Sequence, residues 1–280
     1  MISNAGSSRQ QPIEDLEQAR NIVSAGYDAV YASTPKSPTL RQLWHEHAEG
    51  LDFPEEFGHI SFTTLPELER MVAELRLRPG DTFVDLGCGM GGPGLWVARV
   101  TGGRLIGVDL SSVAAEQASA RAVKLGLASQ AQFLVGSFSD TGLETGSADG
   151  VMSEDALQYA PDKEAAMVEA ARILRPGGRL VCSAYELSPE RAATMPILGL
   201  DPVEDYRPVL AKAGFKVESY EEVPGWPEPM TTTYSTLLNA REALSKEMGE
   251  AAVAALFMEM SMTIQQQPYR RRVLVAATRK

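Results

Sequence analysis

The sequence predicts an α/β fold built on a doubly wound, Rossmann-like sheet. From residue 82 onward, short apolar runs alternate with segments of helical periodicity, a pattern typical of parallel strands joined by crossover helices. A glycine cluster, GCGMGG, follows the first apolar run, where such sheets bind their ligands. The chain has 280 residues, which is enough for one domain with a full core.

Five strands are predicted in the central part of the chain. In order, they are TFVDLG, RLIGVDL, AQFLVGSF, ADGVMSED and RLVCSAYEL. Helical segments follow the first two strands, and a Gly/Ser-marked turn separates the third from the fourth. A third helix, beginning at KEAAMVEAARI, is expected to stop at Pro176 and the two glycines after it. This alternation predicts a parallel core over residues 77–188.

Helical patterns flank this core on both sides. Residues 13–31 and 65–77 place apolar side chains at helical spacing. After residue 188 come a helix, a strand, a mostly helical stretch over residues 231–266 and a final strand, RRVLVAATRK. We therefore expect one domain overall. Its parts are a flexible tail over 1–12, a helical segment over 13–76, the core over 77–188, and the remaining strands with a helical insert over 189–280.

Composition argues against several classes of protein. The net charge of −11 leaves no excess of Lys or Arg to neutralise phosphates, so no nucleic-acid partner is expected. No apolar run approaches about 18 residues, so no membrane span is expected. The polar N-terminus and the two cysteines favour a cytoplasmic protein with reduced thiols. Arg270, Arg271 and Arg272 are expected at a solvated strand end.

The glycine cluster formally matches a dinucleotide-binding turn. Gly87, Gly89 and Gly92 satisfy G-x-G-x-x-G, and Asp109 follows Gly87 by 22 residues, where an acid is expected to hold a ribose. On spacing alone, the turn predicts a nicotinamide cofactor.

Asp85 favours a different ligand. A carboxylate two residues before the first glycine would repel a pyrophosphate, which this kind of turn binds through its N–H groups. S-adenosylmethionine (SAM) instead carries an ammonium group and a sulfonium and has no phosphate. The charge of Asp85 therefore favours SAM without excluding the nicotinamide alternative.

Several motifs in order resemble those of the class I SAM-dependent methyltransferases. These are VDLGCGMGG (84–92), GVDLS (107–111), VGSF (135–138), LRPGGRL (174–180) and the final strand RRVLVAATRK (271–280). The resemblance spans roughly residues 20–280. It is strongest to the small-molecule branch that includes sterol, quinone, rebeccamycin-sugar and sarcosine-type enzymes. It implies a seven-stranded sheet with a C-terminal antiparallel strand, an N-terminal helical lid and a helical substrate lid before the last strand.

The resemblance also implies roles for individual residues. Asp85, Gly87 and Gly89 would line the methionine moiety of SAM. Asp109 would bind the ribose, and Leu110 would contact the adenine. Ser137 stands where the family often has an acidic residue, so the contact to the adenine amino group is open. The remaining cofactor-binding positions implied are Tyr27, Cys88, Ser137, Phe138 and Ser153.

The catalytic residues are less clearly indicated. In several relatives a histidine follows the fourth strand, whereas this chain has Gln158 and Tyr159 there. His59 is the candidate base, since the ordinary pKa of histidine suits that role, but a loop histidine satisfied by the backbone explains it equally well. Tyr159 and Glu154 are the other catalytic candidates, because both lie where cofactor and acceptor would meet. His45 and His47 are too weak a pattern for a metal site, and none is predicted.

The helical insert favours a small, mostly apolar acceptor. It holds Met258, Met260 and Met262 together with Tyr234 and Phe257, which would suit an adaptable apolar pocket, although core packing explains the same residues. We expect methyl transfer from SAM, with oxygen favoured over nitrogen or carbon and S-adenosylhomocysteine (SAH) as the product. An NAD-dependent oxidoreductase and a non-catalytic protein with the SAM fold remain alternatives, and a homodimer is allowed.

Overall fold

A computed structural model describes residues 25–195 and 201–280. The predicted tail and the helix predicted over residues 13–24 lie outside the described residues. The strands of the described residues form one sheet in the order β3-β2-β1-β4-β5-β7-β6. They are β1 (Thr82–Leu86), β2 (Arg104–Asp109), β3 (Ala131–Val135), β4 (Ala148–Ser153), β5 (Leu174–Leu187), β6 (Phe215–Glu222) and β7 (Arg270–Arg279).

The predicted fold class is confirmed. Strands β1 to β5 pair in parallel, whereas β7 is antiparallel to both β5 and β6. The order reverses at β1, between β2 on one side and β4 on the other. In open α/β sheets this is the place where ligands bind, beyond the carboxyl ends of the strands.

Helices cover both faces of the sheet. They are α1 over residues 25–33, α2 (Pro38–Trp44), α3 (Leu65–Leu75), α4 (Gly92–Thr101), α5 (Ser112–Lys124), α6 (Lys163–Ile173), α7 (Pro189–Ala192), α8 (Tyr206–Lys212), α9 (Pro227–Asn239), α10 (Arg241–Met248) and α11 (Glu250–Gln266). None of the described helices has the length and apolar character needed to cross a bilayer.

Alternation along β1 divides the main core in two. Val84 and Leu86 pack with α6 and α8 on one face, while Phe83 packs with α3 and α4 on the other. Successive side chains of a strand point to opposite faces, and β1 is central, so its apolar residues are buried on both.

A third core joins the N-terminal helices to the helical insert. Leu40 and Trp44 of α2 pack against Tyr234 of α9 and Leu256 of α11. The two predicted lids therefore share one apolar core, which also includes Tyr185 near the carboxyl end of β5.

The end of α6 differs from the prediction. The helix stops at Ile173 rather than at Pro176, and Leu174 already pairs with Ala148 of β4. The register then shifts, so that Gly150 pairs with Arg179. Proline lacks the N–H that a strand ladder requires, so the intervening LRPGG residues form an irregular part of β5 instead of a helix end.

Candidate functional site

A large cavity lies beyond the carboxyl ends of β1, β2 and β4. Its volume is about 1300 Å³, including the part open to solvent, and we call it the acidic cavity. Every sequence-predicted site residue except Ser153 lines it: Tyr27, His59, Asp85, Gly87, Cys88, Gly89, Asp109, Leu110, Ser137, Phe138, Glu154 and Tyr159. The structure thus brings together residues from the segments that follow β1, β2, β3 and β4, from helix α1 and from the loop before α3.

The glycine turn after β1 shapes the floor of the acidic cavity. Gly87 and Gly89 have φ angles of 74° and 50°, a region that L side chains rarely adopt. A Cβ on Gly94 in α4 would lie 2.6 Å from Oδ2 of Asp85. Glycine at this position therefore leaves room for the carboxylate of Asp85.

Asp109 is held against the glycine turn by backbone hydrogen bonds. The N–H of Gly89 donates to Oδ2 of Asp109 at 2.8 Å, and the N–H of Ser111 donates to Oδ1 at 2.9 Å. These bonds fix both oxygens of Asp109 at the end of β2. The carboxylate is therefore oriented before any ligand arrives.

The acidic cavity collects negative groups, of which Asp155 pairs with the buried Arg272 behind the cavity. Five carboxyl side chains line it, namely Asp85, Asp109, Glu154, Asp155 and Asp162, and among the described lining residues there is no Lys or Arg. Such a cavity favours a cationic ligand.

Burial and the charges of neighbouring carboxyl groups raise the pKa values of Asp85, Asp109 and Glu154. The pKa of Asp85 is raised to about 8 by burial and by the charge of Asp109. The pKa of Glu154 is raised well above its ordinary value, again mainly by burial and then by Asp85. Neither oxygen of Glu154 makes a hydrogen bond of good geometry, although Thr63 is near enough to lower this pKa somewhat. A bound cation would favour the ionised forms of these groups.

His59 is placed as a hydrogen-bond donor more than as a base. Its Nδ1 accepts from the N–H of Ser61 at 3.1 Å, so the neutral ring carries its proton on Nε2. That Nε2 is buried without a partner. Burial lowers the pKa of His59 to about 4, which makes the ring a weak proton acceptor.

Ser153 is the predicted site residue that the structure does not bring to the acidic cavity. Its side chain is buried, and its hydroxyl donates to the carbonyl of Leu86 at 2.8 Å. The hydroxyl of Ser153 therefore joins β4 to β1, next to the cavity but not within it.

The prediction that the arginines at the start of β7 lie at a solvated strand end is wrong for Arg272. Arg272 is 1% exposed and is not at a solvated strand end. It donates to Oδ1 of Asp155 at 2.7 Å and to Oε2 of Glu67 at 2.8 Å. The other oxygen of Asp155 accepts from the N–H of Phe62 at 2.9 Å. This buried ion network connects β7, α3 and the loop after β4 behind the acidic cavity.

A second cavity of about 570 Å³ adjoins the acidic cavity, and we call it the aromatic cavity. Tyr27 and Tyr159 line both cavities and form part of the wall between them. The other aromatic residues that line it come from α2, α9, β5 and the segment before α3: Trp44, Phe62, Tyr185 and Tyr234.

Glu259 of α11 is a residue that the sequence analysis missed. The hydroxyls of Tyr27 and Tyr159 donate to its Oε1 at 3.1 and 2.6 Å. Burial raises the pKa of Glu259, and the residue lines the aromatic cavity. The available signal was a lone acid in the apolar run LFMEMSMTI, since an acid within such a run is unusual unless it is paired.

Tyr31 is the second missed residue. It lines the acidic cavity, and a Cβ on Gly89 would lie 3.0 Å from its hydroxyl oxygen. Its helix α1 is joined to α5 by a hydrogen bond from Ser111 to Asp28. Tyr31 lies one helical turn after Tyr27, which is the signal that could have identified it.

Comparison with known proteins agrees with the chemistry of this site. Residues 84–182 match a family model described as a methyltransferase domain. The chain is a class I SAM-dependent methyltransferase. It is 28% identical to the 27-O-demethylrifamycin SV methyltransferase of Amycolatopsis mediterranei, over 76% of this chain and 80% of that protein. It is 38% identical to the chloroplastic tocopherol O-methyltransferase of Arabidopsis thaliana, over 50% and 44% of the two chains.

Solved structures show the same fold. The cyclase SpnF superposes with a TM-score of 0.73 at 20% identity, over 93% of this chain and 96% of that one. Geranyl diphosphate C-methyltransferase from Streptomyces coelicolor, in complex with SAH, gives 0.58 at 21% identity, over 77% and 79%. SAM is the cofactor of this methyltransferase, and its positive charges fit the carboxylates of the acidic cavity. These findings favour a methyltransferase over the two alternatives, the NAD-dependent oxidoreductase and the non-catalytic protein.

Proposed function

We propose that the methyltransferase transfers the methyl group of SAM to a hydroxyl oxygen of a small, mostly apolar acceptor. The acceptor binds in the aromatic cavity, and SAM binds in the acidic cavity. The observation that carries this proposal is the shared wall of Tyr27 and Tyr159, because it brings a pocket lined by aromatic rings and by Glu259 beside a cavity suited to a cationic cofactor.

The roles proposed for the acidic cavity follow from charge and position. Asp85 lies where its carboxylate would pair with the ammonium group of SAM, and Asp109 is oriented to accept from the ribose hydroxyls. Leu110 and Phe138 offer apolar contacts to the adenine. When bound, SAM supplies an activated methyl group that reacts by in-line displacement.

Tyr159 and Glu259 are proposed to remove the proton of the acceptor. As the new C–O bond forms and the C–S bond breaks, the acceptor hydroxyl becomes acidic. Its proton passes to the Tyr159 oxygen while Tyr159 gives its own proton to Glu259, 2.6 Å away. The pKa of Glu259 is raised by burial, so it accepts a proton more readily than an ordinary carboxylate does.

His59 and Glu154 are proposed as positioning groups. His59 offers the Nε2 proton, and burial raises the pKa of the Glu154 carboxyl, which favours its protonated form. Both line the acidic cavity and can orient the reacting groups through hydrogen bonds. The names of two relatives, which denote O-methyl transfer, support oxygen as the acceptor atom.

The test combines SAM binding with methyl transfer from labelled SAM to a panel of hydroxy compounds. Each compound is paired with its own O-methyl ether, which cannot react at that oxygen. Tyr159→Phe should lower kcat about 100-fold, the lower end of the usual contribution of proton transfer by a positioned side chain, with little change in SAM affinity. Tyr269→Phe, which changes an exposed tyrosine outside both cavities, is the matched control. Transfer to amines but to no hydroxyl compound would contradict the proposal.

A further inference from the structure

The three arginines that open β7 have different surroundings. Arg271 donates to Glu186 at 2.8 Å, and Arg272 is buried with Asp155 and Glu67. Arg270 has no carboxylate within ion-pair distance among the described residues, and its Nε is buried without a hydrogen-bond acceptor. Arg270 therefore differs from the two arginines that follow it, both of which form ion pairs with carboxylates.

Arg270 lines the aromatic cavity together with a second unpaired donor. Its guanidinium carbon lies 4.5 Å from the ring centre of Tyr185. Tyr185 is 5% exposed, and its hydroxyl is also buried without a partner. A buried donor without an acceptor costs about 1–3 kcal/mol. One cavity therefore holds two donors, one of them charged, that a ligand would satisfy.

Glu259 does not satisfy Arg270. Its Oε1 already accepts from Tyr27 and Tyr159, and no ion pair joins it to Arg270 among the contacts of the described residues. The positive charge of Arg270 acts on Glu259 only at longer range, where it opposes the rise in pKa that burial causes. The guanidinium therefore remains available to an anion.

We infer that Arg270 and Tyr185 bind an anionic group of the methyl acceptor, a carboxylate or a phosphate monoester, inside the aromatic cavity. Arginine is suited to both groups, because its fork of N–H donors matches their paired oxygens. This inference rests on the proposed function and narrows it. The acceptor is an amphipathic hydroxy acid, with its apolar body among Trp44, Phe62 and Tyr234 and its hydroxyl at Tyr159.

The anion site is tested by binding of small probes to the protein saturated with SAH. Benzoate and phenyl phosphate are the anionic probes, and benzamide is the neutral probe of similar shape. We expect at least one anion to bind about tenfold more tightly than benzamide, as one charge-assisted hydrogen bond allows. The stronger anion distinguishes a carboxylate acceptor from a phosphorylated one.

Two variants assign the preference to the proposed residues. Arg270→Met should remove the preference for anions, and Tyr185→Phe, which keeps the ring, should reduce it several-fold. Arg191→Met is the matched control, because Arg191 also lies over a ring, 4.9 Å from that of Tyr269, but is exposed and outside the cavity. If Arg270→Met does not fold, Tyr185→Phe and the salt dependence of benzoate binding decide the question.

Two results would overturn the inference: equal affinity for benzoate, phenyl phosphate and benzamide, or an anion preference that persists in both variants. Methyl transfer separates this failure from that of the proposed function. If hydroxy acids and their methyl esters are methylated equally well, the anion site is wrong and the function stands. If the anions bind through Arg270 but no hydroxyl compound is methylated, the function is wrong and the site stands.

Discussion

The two cavities share a wall but recognise ligands by different physical means. The acidic cavity is built on backbone turns at the ends of β1, β2 and β4, and its carboxyl groups face one another without a basic partner among the described lining residues. The aromatic cavity is built from side chains of helices and strands far apart in sequence. It is lined by two acids, Asp155 and Glu259, and by the basic side chain of Arg270.

The contrast indicates how selectivity is divided. Charge dominates the acidic cavity, so its affinity for a cation depends on pH and on the ionisation of Asp85. Shape dominates the aromatic cavity, where aromatic rings exclude water and a few polar atoms orient the acceptor. The ion network around Arg272 joins both, because Asp155 lines each cavity.

The largest expected effect comes from removing Arg272 from the ion network that joins the two cavities. Arg272→Met leaves Asp155 and Glu67 as buried carboxylates without their partner, which should lower the free energy of unfolding by about 3–5 kcal/mol. Urea denaturation monitored by circular dichroism measures it. Lys212→Met removes an exposed ion pair with Glu164 and should change stability by less than about 1 kcal/mol. Equal, small effects for both variants would mean that the network does not stabilise the fold.

Removing Asp109 should affect the acidic cavity alone. Asp109→Ala removes the proposed ribose contact and the bonds that hold Gly89 and Ser111, so SAM affinity should fall about 100-fold, equivalent to roughly 3 kcal/mol. Calorimetric titration with SAM provides the measurement, and Glu116→Ala on the exposed side of α5 is the control. Binding of apolar hydroxy compounds should change little. A parallel loss at the acceptor would show that the two cavities are not separable.

The pH dependence of SAM binding tests whether charge controls the acidic cavity. The pKa of Asp85 is raised to about 8 in the free protein, so at lower pH the cation must displace a proton. SAM affinity should therefore rise by up to about tenfold per pH unit from pH 6 to pH 8 and then level off.

Stability of the free protein should change in the opposite sense. Between the ordinary pKa of Asp and about 8, the folded state holds a proton that the unfolded state has lost, so this contribution to stability declines as pH rises. Asp85→Asn should flatten both curves. A SAM titration with no pH slope in the wild type would show that Asp85 is already ionised.

The smallest effect is expected at the wall between the cavities. Glu259→Gln keeps the size of the side chain but removes the proposed final proton acceptor, so kcat should fall about tenfold. SAM affinity should change less than about twofold, because Glu259 lies on the acceptor side. Steady-state kinetics with labelled SAM separates these outcomes, and Glu250→Gln at the exposed start of α11 is the control. Weaker SAM binding with normal kcat would instead assign Glu259 to holding α1 in place.

The sequence was most informative about the acidic cavity. Asp85, Gly87, Gly89 and Asp109 lie within two short segments, and parallel strands bring the ends of β1 and β2 together. A local motif is sufficient there because the backbone itself forms the site. Ser153 shows the limit of this reasoning, since adjacent strand residues point to opposite sides and its hydroxyl turns to Leu86.

The aromatic cavity was largely hidden from sequence reasoning. Tyr27 and Glu259 are separated by 232 residues, and no local pattern relates them. The run of arginines at residues 270–272 suggested a solvated strand end, but one of them lines a cavity, one pairs near the surface and one is buried. The register of β7 against β5 and the packing of α3 decide which of the three arginines has each of these surroundings.

Taken by itself, the sequence determined the fold class, the glycine turn proposed to bind SAM and the acids beside it, because periodicity and glycine placement are local properties of the chain. Only the tertiary structure decided which tyrosines meet Glu259, which nitrogen of His59 carries the proton, and which arginine lacks a partner. The tyrosine contacts and the surroundings of the arginines depend on burial and on contacts between elements distant in sequence, which exist only once the N-terminal helices and the helical insert pack together. The proton position on His59 depends on a backbone N–H only two residues away, but the loop conformation that aims it is set by the fold.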